Sequence, residues 1–352
     1  MAHDEELVRD VLARARAAVR DELQRLFQDH KRTGYGPLYD QIADYPFREG
    51  KGIRPAICFA ACRAMGAQDS QATYSAAALE LFHNGALLHD DIEDASLFRR
   101  GVDTLFRQHG VPIAINVGDA SNVFSVSLLL RNVEALGVRK ALQILGEVER
   151  MSRESVEGQA IELDWIRQGR FDLDDQDYVR MAYKKTCWYT VIAPLRIGVI
   201  CGSPPGIAAP READLLQLLE LGLHAGIAFQ IHDDLLNLEA DETLYGKEIS
   251  GDLFEGKRTV MLLHFLRAAS PRARDRALQL LHRPRHLKRA GSIAWLHHEM
   301  RNAGSFDYGR SPARAFSERA LQLEPQVLGF MPEGDDRRFL REMLMYVIDR
   351  VK

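Results

Sequence analysis

The sequence predicts an all-α protein on three observations. Apolar residues recur at helical spacing along most of the chain, no run alternates apolar and polar residues as a half-buried strand does, and glycine and proline gather in clusters that punctuate long segments. A first helix is predicted from Glu5 to Gln28. Gly34, Gly36, Pro37, Pro46, Gly50, Gly52 and Pro55 then mark a breaker-rich loop. Pro55 is placed to open the next helix, which Gly66 closes. A third helix, from Gln71 to Ala95, is apolar on nearly every face, as is the stretch Leu221 to Leu238, and helices of that kind are buried all round. Two or three long helices lie between them, with breaks near Gly137, Gly169 to Phe171 and Gly202 to Pro210. Beyond Gly256, shorter helices are separated near Ser270-Pro271, Arg283-Pro284 and Met331-Pro332. No Ser/Gly-rich linker divides the chain, so one domain over 1–352 is expected, its N-terminal helix and loop (1–49) preceding the motif-bearing part.

With 352 residues the core can be large, and 46 Lys and Arg against 50 Asp and Glu give a net charge of −4. That balance argues against a nucleic-acid surface or an acidic tail, so electrostatic specialisation must be local. The acidic start, Met1 to Glu6, lacks the apolar core of a secretory signal, and no uninterrupted apolar run reaches about twenty residues. A cytoplasmic protein without a transmembrane segment is expected. Cys58, Cys62, Cys187 and Cys201 form no zinc or CxxC pattern and are expected to be buried structural thiols.

His-Asp-Asp occurs twice, as His89-Asp90-Asp91-Ile92-Glu93-Asp94 and as His232-Asp233-Asp234-Leu235-Leu236-Asn237. Each copy ends an apolar helix, where ionised carboxylates are costly unless a cation meets them. Positions i and i+4 share a helix face, so Asp90 pairs with Asp94 and Asp233 with Asn237. An all-oxygen set favours Mg²⁺, which takes one or two carboxylates together with substrate phosphates. His89 and His232 fall off the carboxylate face and are expected to pack. Arg99-Arg100 follows the first cluster, and Lys247 and Lys257 follow the second, cations of the kind a diphosphate needs. Gly50-Lys51-Gly52-Ile53-Arg54-Pro55 adds a basic loop at a helix start, a favourable anion site. The chain thus offers metal clamps for one anion and a metal-free basic pocket for a second.

Leu81 to Asp94 with Arg99-Arg100-Gly101 resembles the first aspartate-rich region of trans-type polyprenyl diphosphate synthases. Phe229 to Asn237, with Gly246-Lys247 and Asp252 to Thr259, resembles the second. Gly158-Gln159, Lys185-Thr186 and the terminal Arg350-Val351-Lys352 extend the likeness, which is nearest to geranylgeranyl diphosphate synthases. The resemblance implies the type I isoprenoid synthase fold, a bundle of long helices around a deep central cavity, paired as a homodimer. It also implies condensation of an allylic diphosphate with isopentenyl diphosphate, helped by about three Mg²⁺ ions per site. Carried over by position, Asp90, Asp94 and Asp233 are the principal metal ligands, with Asp91, Asp234 and Asn237 supporting. Arg99, Lys185, Thr186, Gln230, Lys247 and Lys257 serve the allylic diphosphate, and Lys51, Arg54, His83 and Arg100 serve isopentenyl diphosphate. Released pyrophosphate is the family's usual base, so no protein base is sought.

The chain departs from the family pattern in three places: Glu49 and Gly52 in the basic loop, Asn237 in place of a third aspartate, and the bulky Trp188-Tyr189. The growing chain is expected to run along the helix that carries Asp90. Gly85 and Ala86 are small where farnesyl synthases carry an aromatic, and Phe82 is a candidate floor one turn further, so a product of about geranylgeranyl length is expected. Two other functions fit parts of the pattern. A class I terpene cyclase shares the metal chemistry but carries an Asn/Asp, Ser/Thr, Glu triplet in place of Asp233-Asp234-Asn237 and needs no second diphosphate pocket. A non-catalytic regulatory subunit keeps the fold but loses aspartate clusters, and both are present here.

Overall fold

The computed structural model describes residues 4–48, 50–204, 212–239 and 249–348. Glu49, Gly246, Lys247 and Arg350-Val351-Lys352 lie outside the described residues. Among those described, the only strands are Phe98–Arg99 and Val102–Asp103, paired antiparallel in a short hairpin after the first aspartate cluster. Everything else of regular structure is helical.

Helix α1 (Glu5–Lys31) starts where the Asp4 carboxylate accepts the Leu7 N–H at 3.0 Å, and it carries Glu5 and Glu6 in its first turn and His30 and Lys31 in its last. Both ends therefore suit the helix dipole. Val8, Val11, Leu12, Ala15, Val19, Leu23 and Leu26 form its buried stripe. The predicted loop between Gly34 and Pro55 is instead largely helix α2 (Gly36–Phe47). Pro37 falls in the first turn, where its missing N–H is not needed, and Pro46 in the last, so neither breaks the helix. Ile42 and Tyr45 anchor α2 in the core. Helix α3 (Ile53–Ala64) follows Gly52, whose φ of +68° and contact with Arg16 of α1 leave no room for a side chain. That accounts for the glycine in the basic loop.

Helix α4 (Thr73–Glu93) is buried along most of its length and packs on α1, α3 and, most extensively, α6 (Val111–Leu136), which follows the short α5 (Leu105–His109). Gly137 separates α6 from α7 (Val138–Arg167). By length and composition, α6 is the one described helix apolar enough to cross a bilayer. One of its faces packs on α4 through Ala114, Val117, Gly118, Ser121 and Ser125, while Val123, Val126, Leu130 and Val133 are exposed on the other.

Helix α8 (Asp175–Ala182) runs without a break into a π-helical segment, Tyr183–Ile192, and then α9 (Ala193–Gly202). The Ala193 N–H bonds to the Trp188 carbonyl five residues back, and Pro194, which has no N–H, follows. π-helical turns are rare and often mark functional sites. Helix α10 (Glu212–Glu239) crosses the π segment and carries the second aspartate cluster. The helices Gly251–Glu255, Val260–Ala268, Pro271–Leu281, Ala290–Asn302, Ser305–Val327 and Asp335–Ile348 complete the described chain. All four cysteines are buried free thiols.

Candidate active site

The end of α4, the hairpin after it and the short Gly251–Glu255 helix enclose a polar cleft of about 370 Å³, lined by Asp90, Asp94, Arg99, Asn237, Asp252, Glu255 and Lys257 among others. Lys257 spans it, its ammonium 2.7 Å from Asp94, 2.9 Å from Glu255 and 3.8 Å from Asp252. Burial works against the Lys257 charge, but Asp94, Glu255, Asp90 and Asp252 outweigh it and hold the ammonium protonated far above its ordinary range. Asp94 is pushed well above the ordinary carboxylate range, by burial first and then by Glu255 and Asp90, against the pull of Lys257. On the other side Lys185 pairs with Glu162 and lies 3.5 Å from Asp90. Burial opposes its charge too, and Glu162, Asp90 and Asp94 overcome it.

The two aspartate clusters share a construction that the sequence did not disclose. Asp91, 1% exposed, is gripped by the Arg99 guanidinium and accepts the Tyr45 hydroxyl at 2.6 Å. Asp234, also buried, accepts the Tyr178 hydroxyl at 2.8 Å and the Gln230 amide at 2.7 Å, and Gln230 in turn accepts the Thr186 hydroxyl at 2.6 Å. Burial, with Asp252 nearby, raises Asp234 well above the ordinary carboxylate range. In each cluster, then, the second aspartate faces the protein and is bracketed by a tyrosine from another helix. Asp91 is occupied by Arg99, and Thr186, Gln230 and Asp234 are occupied with one another, whereas Asp90 and Asp94, with Arg99 beside them, border the cleft. Asp233, half-buried, neighbours Asp234 on α10. The Asn237 carboxamide oxygen accepts the Asp252 N–H at 3.1 Å and so caps the short helix that brings Asp252 and Glu255 to the cleft. Neither Tyr45 nor Tyr178 carries a local sequence signal, since each is defined by a contact across more than forty positions.

Close approach positions Lys185. A Cβ on Gly158 of α7 would clash with the Lys185 backbone nitrogen, so only glycine lets α7 lie against the π segment. Gln159 donates to Glu93 at 2.5 Å beside it. His89 packs over Gly118 of α6, as expected of a residue off the carboxylate face.

A second, cationic region lies beyond α4. The Arg54 guanidinium donates to Thr190 at 3.0 Å and lies 4.4 Å above the Tyr189 ring, on which His83 stacks at 5.7 Å. Tyr189 therefore joins two residues expected on the isopentenyl diphosphate side. Trp188 is core, fully buried against Tyr183 and Arg150. Arg100 donates to the carbonyls of Tyr45 and Arg48. Its pKa is lowered by burial and by Arg99, Arg54 and Arg48, against Glu80, a crowding of like charge that an anion would relieve. Lys51 is exposed at the loop, 6.0 Å from the Tyr346 ring.

Of the three chain-length candidates, Gly85 faces α6: a Cβ there would lie 3.1 Å from the Ser121 Cβ, so its small size serves the helix crossing. Phe82 and Ala86 instead share the Asp90 stripe at four-residue intervals, and all three are half-buried. An apolar cleft of about 490 Å³ lies elsewhere, between α3, the π segment, α10 and the last helix, lined by Ile57, Leu195, Phe229 and Met343 among others.

Among the described residues no three His, Cys, Asp or Glu side chains form a finished metal site. The donors at the cleft are all oxygens. Such a wall fits a hard divalent ion that shares its coordination with phosphate oxygens, as Mg²⁺ does, and not one caged by protein alone.

Residues 36–298 match the family described as Polyprenyl synthetase. A short chain isoprenyl diphosphate synthase of Methanothermobacter thermautotrophicus is 34% identical over 66% of this chain and 68% of its own length. The geranylgeranyl pyrophosphate synthetase of Pyrococcus horikoshii superposes with a TM-score of 0.82 at 28% identity, covering 98% of this chain and 99% of that one. Geranylgeranyl pyrophosphate synthase of Corynebacterium glutamicum, complexed with isoprenyl diphosphate and magnesium, superposes with a TM-score of 0.85 at 25% identity, over 96% and 99% of the two chains.

Proposed function

Because the chain belongs to the polyprenyl synthetase family, we propose that it is a magnesium-dependent trans-prenyltransferase that condenses an allylic diphosphate with isopentenyl diphosphate and releases pyrophosphate. A product of about geranylgeranyl length agrees with the relatives. The observation that carries this reading is the cleft itself, where Asp90 and Asp94 face Asp252 and Glu255 with Lys257 between them and Lys185 beside Asp90. Asp90, Asp94 and Asp233 would hold the metal, about three ions in all. Bound Mg²⁺ would stabilise the charge that builds on the departing pyrophosphate. Lys185 and Lys257, both held protonated, place fixed positive charge where that anion develops, so little reorganisation is needed during ionisation. Arg54, Arg100, His83 and Lys51 bind isopentenyl diphosphate, with Tyr189 setting the Arg54 and His83 planes. Arg99, Thr186, Gln230, Asp91, Asp234 and Asn237 orient the groups that touch substrate. The allylic chain extends along the Asp90 stripe past Ala86 toward Phe82, away from water that would quench the cation.

Product analysis with dimethylallyl, geranyl and farnesyl diphosphate primers tests this. Phe82→Ala is expected to shift the distribution to longer products, and an unchanged chain length would remove Phe82 as the floor.

We read the chain as one cytoplasmic domain that works as a homodimer. Val123 and Leu130 of α6 and Leu142 and Val156 of α7, two helices in contact, are each more than 60% exposed, and large apolar side chains left in water on neighbouring elements favour an interaction surface. A second copy of the same face would cover it about a two-fold axis. Light scattering should give a dimer mass for the wild type and half that mass for a Leu130→Asp, Leu142→Asp variant, whereas a monomeric wild type would contradict the pairing.

A further inference from the structure

The polar cleft depends on a short helix, Gly251–Glu255, that is too brief to hold its own orientation. Its N-terminal side is tied down by Asn237, whose backbone carbonyl accepts the Ser250 N–H at 2.8 Å and whose side chain accepts that of Asp252. Its C-terminal side is held by cations from elsewhere. Lys288 is buried, and its ammonium donates to the carbonyls of Phe254 at 2.7 Å and Leu253 at 3.3 Å, groups that a helix end leaves without partners. Arg258, also buried, donates to the Gly256 carbonyl and, at 2.9 Å each, to those of Trp165 and Arg170 at the end of α7, with its guanidinium 4.2 Å from the Phe171 ring. Arg285 donates to the Glu255 carboxylate at 3.1 Å.

We propose that Lys288 is a positioning residue for prenyl transfer: through the Leu253 and Phe254 carbonyls it fixes the helix and turn that place Asp252, Glu255 and Lys257 against Asp94. Arg258 is its counterpart on the α7 side. This rests on the prenyltransferase function proposed above and deepens it by adding Lys288, which lies outside both aspartate-rich stretches. Burial, with Arg258 and Arg285 nearby and only Glu255 opposing, lowers the Lys288 ammonium to about 8. It therefore stays mostly charged at neutral pH, and both bonds to carbonyls are charge-assisted.

The test compares wild type, K288M and K288R in steady-state kinetics, in calorimetric binding of inorganic pyrophosphate with Mg²⁺, and in thermal melting. K288M is expected to lose about 10–100-fold in kcat and to bind magnesium pyrophosphate more weakly by a similar factor, as loss of an orienting partner does. The KM for isopentenyl diphosphate, whose pocket is built on other residues, stays unchanged, and K288R restores most of the loss. If K288M does not fold, K288Q, which keeps an uncharged amide donor, takes its place with the same direction expected. Equal kcat and equal pyrophosphate affinity in K288M and wild type would overturn the proposal. So would a fall in kcat and melting temperature together with a parallel rise in the isopentenyl diphosphate KM, the pattern of general loosening. Absence of product from the wild type, with pyrophosphate affinity still falling in K288M, would overturn the prenyltransferase function and leave the clamp standing.

Discussion

Asp91→Ala is expected to destabilise the fold by about 3–5 kcal/mol, because it leaves the buried Arg99 guanidinium without its counter-charge. Arg99 is 5% exposed, and its charge is held against burial by Asp91 and Asp90 together. The Tyr45 hydroxyl, which also donates to Asp91, loses its acceptor in the same substitution. Urea unfolding followed by circular dichroism measures the change. The neighbouring Asp90→Ala provides the contrast, since Asp90 is partly exposed and its ion pairs with Arg99 and Lys185 are long, 3.6 and 3.5 Å. Its effect on stability should stay within about 1 kcal/mol. Equal destabilisation by the two substitutions would contradict the division between a cleft-facing and a protein-facing aspartate.

For activity the order reverses. Asp90→Ala should lower kcat by about 10²–10³-fold, the range expected when one preorganised electrostatic group is removed from a charge-stabilising site. The protein should remain folded, because Arg99 keeps Asp91 and Lys185 keeps Glu162. Steady-state turnover with a saturating allylic primer measures this. Activity near the wild-type level would take Asp90 out of the metal-binding role, whatever its place in the cleft.

Much of the fold was legible because burial leaves a simple mark. α4 and α10 are apolar around most of their circumference, as helices buried within a core are. The breaks at Gly137, Gly169 and Ser270-Pro271 were legible for a similar reason, as local backbone chemistry set them. α2 was not, since Gly36, Pro37 and Pro46 resemble a loop until their places in the first and last turns are known. The π segment was also hidden: ten residues with a shifted hydrogen-bond register carry no pattern distinct from an ordinary helix.

The candidate site divides the same way. Asp90, Asp94, Lys185 and Lys257 stand out in the sequence and meet at the cleft. The partners that orient the clusters do not stand out. Tyr45 and Tyr178 each meet an aspartate far along the chain, and Asp252, Glu255 and Lys288 gain meaning only once the Gly251–Glu255 helix is set against the end of α4. Spacing along one helix is set by helical geometry and can be read from sequence. Contacts between helices depend on the packing of the whole core.

The most direct test of the account is a single assay of the purified full-length protein with isopentenyl diphosphate and a labelled allylic primer, with Mg²⁺ and then with excess EDTA. Formation of an elongated prenyl diphosphate with one pyrophosphate released per isopentenyl unit added, abolished by EDTA and restored by added Mg²⁺, is the predicted result. No elongated product from any primer, or elongation that persists in EDTA, would contradict it.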